Sequence, residues 1–262
     1  MASGHGPRVR LVSFNILSGR SMGDSTVDVD RYAEAIRMLD ADVLALQEVD
    51  RNQGRSRMAD LTAVAAEAMG APEHRFVAAL TGTPGLTWVA STGEEQPDAA
   101  AYGIGLLSRH PVASWEVVRL PPVPVKVPTW WRGSRRPTWV RDEPRVATVA
   151  AVDAPEGRIN VANTHLSFLR WWNGHQLRVL MRALRDHDEP LVLLGDLNME
   201  PPRARDTSRM RALAHHLTFP ADSPREQIDH ALARGALDVR SSEAVRLPMS
   251  DHLALVVDVE LP

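Results

Sequence analysis

The stretch Val43–Val49, which reads Val-Leu-Ala-Leu-Gln-Glu-Val, is a nearly continuous apolar run interrupted only near its end, at Gln47 and Glu48. A short apolar run of this kind is typical of a strand that is buried on both faces. A second such run, Leu191–Leu194, ends two residues before Asp196. Segments with helical periodicity lie between the apolar runs. The chain therefore predicts an α/β fold in which helices cover buried sheets.

The helices are predicted from apolar residues that recur every three to four positions. One helix covers Arg31–Asp40, a second covers Leu61–Met69 with Gly70 as its stop, and a third covers His175–His187. Further strands are predicted at Arg8–Asn15, Ala101–Ser108, Val112–Arg119, Val146–Asp153, Arg158–His165, Ile228–Leu232, Val239–Val245 and Leu253–Glu260. The length alone permits one large domain or two small ones. We expect residues 1–262 to form a single domain, because strands of the same character resume after the proline-rich stretch at about residues 120–144.

The composition excludes several kinds of site. The chain has no cysteine, so disulfides, thiolate metal sites and a cysteine nucleophile are excluded. The formal net charge of -3 lacks the basic excess of a typical nucleic-acid-binding protein, although charge can still be segregated on one face. We find no apolar run long enough for a signal peptide or a membrane span, so we expect a cytoplasmic protein.

Polar residues collect where the predicted strands end. These residues are Asn15, Glu48, His165, Asp196, Asp251 and His252. Taken singly, each could be an ordinary turn, cap or surface residue. Strand ends in α/β sheets meet at one edge, however, so the six side chains could converge there. Clustered carboxylates either take up protons or bind a cation, and oxygen ligands favour Mg²⁺ or Mn²⁺ over zinc.

A proline-rich stretch at about residues 120–144 interrupts the alternation of strands and helices. We predict that it is a surface excursion. Its tryptophans are interleaved with basic residues, and a second aromatic cluster follows His165. The residues concerned are Trp130, Trp131, Trp139, Lys126, Arg132, Arg135, Arg136 and Arg141, with Phe168, Arg170, Trp171 and Trp172 in the second cluster. Such surfaces suit nucleic-acid backbones and bases, or a membrane interface, or simply cover the edge of a core.

Six spaced segments resemble the endonuclease/exonuclease/phosphatase superfamily and occur in its order. They are Ser13-Phe14-Asn15-Ile16, Leu46-Gln47-Glu48-Val49, Asn163-Thr164-His165-Leu166, Gly195-Asp196-Leu197-Asn198, Ile228-Asp229-His230 and Ser250-Asp251-His252. Tyr102-Gly103 and Glu143-Pro144-Arg145 are also similar. The resemblance covers about residues 8 to 260. It implies a four-layer α/β/β/α sandwich, with two packed mixed β-sheets flanked by helices.

The resemblance also implies a metal site and an activated water. Glu48 would bind Mg²⁺ or Mn²⁺ directly, and Asn15 and Asp251 would complete or support the metal shell. Asp196 would orient or deprotonate the attacking water, and Asn198 would hold the phosphate or that water.

Further roles follow for residues that would contact the phosphoryl group. His252 would contact its oxygens or act as acid or base, with Asp229 fixing the imidazole ring. His165 would contact the phosphate or protonate the leaving group, and Arg145 would offer a charge-assisted contact. Tyr102 is a further catalytic candidate. Asn163 and Arg51 are candidates for substrate binding.

The substrate stays open at this point. The first interpretation is a metal-dependent phosphodiesterase, such as a nuclease. The alternative is a phosphatase or a phospholipase-C-like hydrolase of small or lipid phosphoesters, and the third is a non-catalytic binding protein on the same fold. We expect a monomer that binds a phosphate-containing substrate, either nucleic acid or a small or lipid phosphoester, without a stable protein partner.

Overall fold

Strands and helices alternate along residues 8–129 and 136–261, which the computed structural model describes. The strands in this part of the chain are β1 (Val9–Asn15), β2 (Val43–Arg51), β3 (Glu73–Gly82), β4 (Trp88–Ala90), β5 (Ala101–Ser108), β6 (Val112–Leu120), β7 (Val127–Thr129), β8 (Thr138–Val140), β9 (Arg145–Ala154), β10 (Gly157–His165), β11 (Leu191–Asp196), β12 (Arg211–Ala212), β13 (Asp229–Arg234), β14 (Asp238–Val245) and β15 (Ala254–Glu260). The helices are α1 (Val29–Leu39), α2 (Leu61–Met69), α3 (Arg170–Ala183) and α4 (Pro201–Ser208).

Most of the strands form two large mixed sheets. The first sheet has the order β14-β15-β1-β2-β5-β3-β4, and the second has the order β12-β13-β11-β10-β9-β6. The pairs β1–β2 and β10–β11 are parallel. The other strand pairs are antiparallel. Strands β7 and β8 form a separate two-stranded ribbon.

The two large sheets pack face to face through a shared apolar core. Leu11 and Ala45 of the first sheet belong to the same buried cluster as Val161 and Val192 of the second. Because side chains alternate along a strand, Val12 points to the opposite face, where α1 and α2 pack. Helices α3 and α4 cover the outer face of the second sheet. This arrangement confirms the predicted four-layer α/β/β/α sandwich.

The boundaries of the helices follow from their capping residues. Asp28 and Asp60 cap α1 and α2, and each carboxylate accepts hydrogen bonds from two backbone N–H groups. Gly70 ends α2 with a φ of +67°, as the sequence predicts. Helix α3 starts earlier than predicted, because side chains of its first turn hydrogen-bond to Pro121 O and Asn198 O. None of the described helices combines the length and the apolarity needed to cross a bilayer.

The sequence does not predict strand β3 or helix α4. Strand β3 begins with polar residues, of which Glu73 is half-buried and His74 and Arg75 are exposed, so its first half lacks an apolar pattern. Helix α4 is short and begins with two prolines, which the first turn of a helix tolerates. Both elements depend on their neighbours in the fold more than on local patterning.

Candidate active site

Two parallel strand pairs bring four of the predicted residues to one edge of the sandwich. Asn15 ends β1 and Glu48 lies in β2, while His165 and Asp196 end β10 and β11. The carboxyl ends of the two pairs meet, since Asn15 Nδ2 donates to Asp196 Oδ2 at 3.1 Å and to Glu48 Oε1 at 3.2 Å. The convergence predicted from strand ends is therefore present.

A bulge in β2 directs Glu48 into the cleft at this edge. The pairing of β2 with β5 shifts register between Leu46 and Val49, and Glu48 takes a left-handed φ of +55°. A positive φ in a residue other than glycine costs energy and recurs at functional sites. The carboxylate of Glu48 is half-buried and lines the cleft.

The turn after β11 connects Asp196 to the neighbouring histidine. Asn198 has a left-handed φ of +51°, and its backbone N–H donates to Asp196 Oδ1 at 3.0 Å. Its side-chain Nδ2 lies 3.0 Å from Leu166 O and 3.3 Å from His165 Nε2. His165 Nε2 is in turn 3.6 Å from Asp196 Oδ2. The turn therefore holds an amide, a carboxylate and an imidazole together.

Antiparallel strands supply the remaining predicted acid and base. Asp229 begins β13 directly opposite Asp196, and Asp251 and His252 lie in the turn before β15, separated from the strand by Leu253. His252 Nδ1 lies 2.9 Å from Asp229 Oδ2, and Thr218 Oγ1 donates to the same oxygen. The other ring nitrogen, Nε2, is 3.8 Å from Asp196 Oδ2 and 4.0 Å from Asp251 Oδ1. His252 thus lies between a fully buried carboxylate and two that line the cleft.

Burial and nearby charge change the acidity of three of these groups. Burial, reinforced by the Asp229 carboxylate, raises the pKa of Asp196 to about 7. Burial opposes the charged form of His252, but Asp229 and two further carboxylates outweigh it and raise its pKa to about 10. Burial, with nearby positive charge, lowers the pKa of His165 well below its ordinary value. At neutral pH, His252 is therefore protonated and His165 is neutral.

Arg145 reaches the same cleft from the start of β9. Its Nη2 lies 3.1 Å from Asp142 Oδ1 and 3.8 Å from Glu143 Oε2, and the residue is almost fully buried. The two carboxylates keep the pKa of Arg145 raised although burial acts to lower it. Tyr102 also lines the cleft, and burial raises the pKa of its hydroxyl, with Glu48 adding to the effect. Both side chains remain protonated at neutral pH.

Arg55 and Asp50 belong to the site, although the sequence does not identify them. Arg55 donates from Nε and Nη2 to the two oxygens of Asp50, at 2.8 and 2.7 Å. Its guanidinium lies over the ring of Tyr102, 5.6 Å from the centroid, and it lines the cleft. The sequence signal that could have identified them is an Asp and an Arg five residues apart near a strand end. Ordinary surface ion pairs show the same spacing, so the signal does not indicate a functional site.

Two of the predicted substrate-binding residues do not reach the cleft. Asn163 is fully buried between the sheets, donating to Leu46 O and Gly105 O and accepting from Gln47 Nε2. Its position contradicts direct contact with a substrate, because its amide already pairs with the protein. Arg51 is absent from the residues that line the cleft and packs over the ring of Phe76 at 4.7 Å. Arg51 is therefore directed away from the position predicted for it.

Within residues 8–129 and 136–261, two groups of side chains could hold a cation. The donor atoms of Asp196, Asp229 and His252 lie within 4.8 Å of one another and are all buried. The predicted ligands Glu48 and Asp251 line the cleft beside them, with Asn15 in contact with Glu48. Among the described residues, Asp251 Oδ1 is buried and has no hydrogen-bond partner. A buried carboxylate oxygen without a donor suits a cation.

The cleft is wide and has an aromatic and basic rim. Its volume is about 1250 Å³. The rim includes Leu86 from the β3–β4 turn, Trp139 from β8 and Phe168 after β10, and all three are exposed. Three basic residues, Lys126, Arg141 and Arg170, also line it. Part of the predicted excursion therefore borders the cleft, while its members Trp130, Trp131, Arg132 and Arg135 lie outside the described residues.

Comparison with solved structures finds the same fold in several bacterial and animal proteins. An endonuclease/exonuclease/phosphatase from Beutenbergia cavernae is 25% identical with a TM-score of 0.71, and the match covers 98% of this chain and 72% of that chain. A mannosyl-6-phosphatase from Bacteroides thetaiotaomicron is 15% identical with a TM-score of 0.60, over 97% and 100%. The human Nocturnin catalytic domain is 18% identical with a TM-score of 0.62, over 98% and 96%. The last two similarities show the fold alone.

Comparison with protein families shows the family to which the chain belongs. No curated protein matches this sequence. The model of the Endonuclease/Exonuclease/phosphatase family matches residues 12–252, which include all six motif segments. Members of that family are typically phosphoester hydrolases. The chain belongs to the endonuclease/exonuclease/phosphatase family.

Proposed function

We propose that this chain is a divalent-metal-dependent hydrolase of phosphoesters that acts on phosphodiesters. One observation carries the proposal: His252 is held between Asp229 and Asp196 in the cleft that also contains Glu48 and Arg145. Phosphoester hydrolysis needs a positioned base, an acid and positive charge around the phosphoryl oxygens. The cleft contains a side chain suited to each of these tasks.

Glu48 and Asp251, with Asn15 beside them, would hold the cation. The fit rests on the unpartnered oxygen of Asp251 and on a donor set made of oxygens, which suits Mg²⁺ or Mn²⁺. A bound cation would polarise the phosphate and neutralise part of its charge. Asp229 Oδ1 is also buried without a hydrogen-bond partner, but we assign Asp229 to the histidine, because its other oxygen and His252 Nδ1 already share a hydrogen bond.

Asp196 would orient the attacking water and accept its proton. A carboxyl group whose pKa is raised to about 7 is a suitable base at neutral pH, because it is substantially ionised yet basic enough to accept a proton. The backbone N–H of Asn198 holds one oxygen of Asp196 in place. The side chain of Asn198 would hold the phosphate or the same water.

His252 would donate a hydrogen bond or a proton from Nε2. Asp229 accepts the hydrogen bond from Nδ1 and so fixes the ring, which leaves Nε2–H directed toward the cleft. His165, neutral at this pH, would contact the phosphate or the leaving group. Arg145 would supply fixed positive charge to the phosphoryl oxygens, because Asp142 and Glu143 hold its guanidinium in place.

The size and rim of the cleft favour a diester over a small monoester. A cleft of about 1250 Å³ exceeds what a single phosphoryl group needs. Exposed rings at Trp139 and Phe168, beside Lys126 and Arg141, would contact groups on both sides of a diester, as in a nucleic acid. Exposed Leu86 favours the second candidate, a phosphatase or phospholipase-C-like hydrolase with an apolar leaving group. Because the fold is similar to that of a mannosyl-6-phosphatase, a monoester substrate is also tested below.

We further propose that residues 1–262 form one domain that acts as a monomer. Support for one domain comes from the apolar core that both sheets share, and from the cleft, whose lining residues come from both sheets. We expect one cooperative unfolding transition and the mass of a single chain in light scattering. Two separate transitions would contradict the single domain, and a stable dimer would contradict the monomer.

The decisive experiment compares bis-p-nitrophenyl phosphate with p-nitrophenyl phosphate in Mg²⁺, Mn²⁺ or chelator. We expect metal-dependent cleavage of the diester that falls at least about a hundredfold in His252→Ala. His216→Ala is the matched control, because His216 bonds to Ser242 and does not line the cleft. Preference for the monoester would select a phosphatase, whereas a phospholipase-C-like hydrolase would also cleave the diester and would be recognised by its activity on phospholipids. Metal-independent cleavage, or a fully active His252→Ala variant, would refute the proposal.

A further inference from the structure

The guanidinium of Arg55 lines the cleft, and only some of its hydrogen-bond donors are paired within the protein. A guanidinium has five N–H donors. Two of them, on Nε and Nη2, pair with the oxygens of Asp50. The third nitrogen, Nη1, makes no hydrogen bond to any residue in the described parts of the chain, and Arg55 lines the cleft. The side chain is therefore held along one edge while donors on its other edges stay available.

Asp50 fixes the edge of the Arg55 guanidinium that carries Nε and Nη2. It is fully buried, and Ser18 Oγ donates to its Oδ1 at 3.2 Å in addition to the two bonds from Arg55. Two parallel N–H···O bonds fix both the distance and the plane of a guanidinium. The ring of Tyr102 lies beneath Arg55, 5.6 Å from its centre, and restricts it on a second side. Arg55 is thus preorganised, although it lies within a short turn at Gly54–Ser56.

Arg145 on β9 is held in a similar way from another part of the fold. Asp142 and Glu143 pair with Arg145, as Asp50 pairs with Arg55, and both arginines interact with Tyr102. Glu48 also lies close enough to Arg55 to interact with its charge. Two guanidiniums braced by carboxylates therefore lie beside the carboxylate that we propose as a metal ligand.

We propose that Arg55 binds the phosphoryl group of the substrate together with Arg145, and that Asp50 is the positioning residue for Arg55. The inference depends on the proposed function in one respect, namely that the ligand is a phosphoryl group. A planar, permanently charged fork suits the non-bridging oxygens of a phosphate. The residue that the sequence suggested for this task, Arg51, packs on Phe76 instead.

The test measures binding of inorganic phosphate to the full chain in saturating Mg²⁺ by calorimetry. We expect Arg55→Ala to bind phosphate about 10- to 100-fold more weakly, the scale of one charge-assisted hydrogen bond. Arg55→Lys keeps a cation for buried Asp50, so it serves if the alanine variant fails to fold; its affinity should fall between the two. Arg75→Ala is the control, since Arg75 also covers an aromatic ring, that of Trp115, but does not line the cleft.

Asp50→Asn distinguishes positioning from net charge. If only charge mattered, removal of a negative charge near the cleft would tighten phosphate binding. If Asp50 positions Arg55, the same change weakens binding by about tenfold, as is typical for residues that orient a ligand-binding group. Tighter binding in Asp50→Asn would overturn the positioning role.

Separate measurements of phosphate binding and of diester hydrolysis distinguish a failure of this inference from a failure of the proposed function. Unchanged phosphate affinity in both Arg55→Ala and Arg55→Lys would overturn the inference, even if the parent protein cleaves its diester. Absence of phosphate binding to the parent protein would also overturn it. Arg55-dependent phosphate binding without any hydrolysis would support the inference and refute the proposed catalytic function.

Discussion

His252 Nδ1 lies 2.9 Å from Asp229 Oδ2, and Asp229 is fully buried while His252 is only 5% exposed. Because a second donor, Thr218 Oγ1, also bonds to Asp229 Oδ2, the carboxylate has little freedom to move. The pair therefore fixes the orientation of the ring and determines that Nε2 faces Asp196 and Asp251. This relationship makes the role of Asp229 testable apart from that of His252.

Asp229→Asn should lower kcat by at least about a hundredfold while the protein stays folded. An asparagine can offer an N–H to Nδ1, which favours the wrong tautomer of the imidazole. Loss of the carboxylate also removes the main charge that raises the pKa of His252. Diester hydrolysis and the far-UV circular dichroism spectrum would be measured together. Asp222→Asn, which changes an exposed carboxylate, is the control, and equal activity in both variants would contradict the orienting role.

Mg²⁺ should stabilise the protein through Glu48 and Asp251. At a concentration of about one hundred times its Kd, the cation should add about 2.7 kcal/mol. That gain raises Tm by roughly 5–10 °C in a protein of this size. Glu48→Gln should lose most of the increase, whereas Asp153→Asn, which changes a surface carboxylate paired with Arg158, should keep it. The alternative site at Asp196, Asp229 and His252 would be favoured if Glu48→Gln kept the full increase and Asp229→Asn lost it.

Asn163→Ala should destabilise the fold without weakening substrate binding. The substitution leaves two buried backbone carbonyls and the amide of Gln47 without their partner. Each unpaired buried group costs about 1–3 kcal/mol, so Tm should fall by several degrees. Thermal unfolding and KM for the diester would be measured on the same preparation. A large rise in KM with an unchanged Tm would restore the substrate-binding role that the sequence suggested.

Asn163 shows why a motif can be recognised without its role being known. The sequence predicts strand β10 and places Asn163 two residues before the strand end. Side chains alternate along a strand, so Asn163 shares a face with Val161, which belongs to the core between the sheets. His165 lies on that same face, but it is the last residue of the strand and reaches the cleft. Position along the strand, rather than residue type, separates the two roles.

The residues at strand ends could be predicted, whereas Arg55 could not. Glu48 and Asp196 follow apolar runs, and the physical rule that strand ends gather at one edge applies to any such sheet. Arg55 depends on a turn that folds the chain back toward Asp50, and no local pattern specifies that geometry. The bulge that directs Glu48 into the cleft likewise depends on the pairing of β2 with β5, and no local pattern specifies it.

The pH dependence of stability should show the contribution of Asp258, which lies far from the cleft. Burial acts to raise the pKa of this carboxyl group, but hydrogen bonds from Arg10 and Ser241, with the charge of Arg8, hold the pKa below its ordinary value. A lowered pKa in the folded state gives stability that is fully present above the unfolded pKa, about 3.9, and is lost as the pH falls through the folded value.

Asp258→Asn should therefore lower Tm most at neutral pH and progressively less below about pH 4. At neutral pH the variant lacks the charge that pairs with two arginines, and we expect a decrease of at least about 3 °C. In acid the parent protein protonates Asp258 as well, so the two curves should converge. Tm would be measured from pH 3 to 8 for the parent, for Asp258→Asn and for the surface control Asp153→Asn. A difference in Tm that stays constant or grows toward acid would show that the ion pairs around Asp258 do not stabilise the fold.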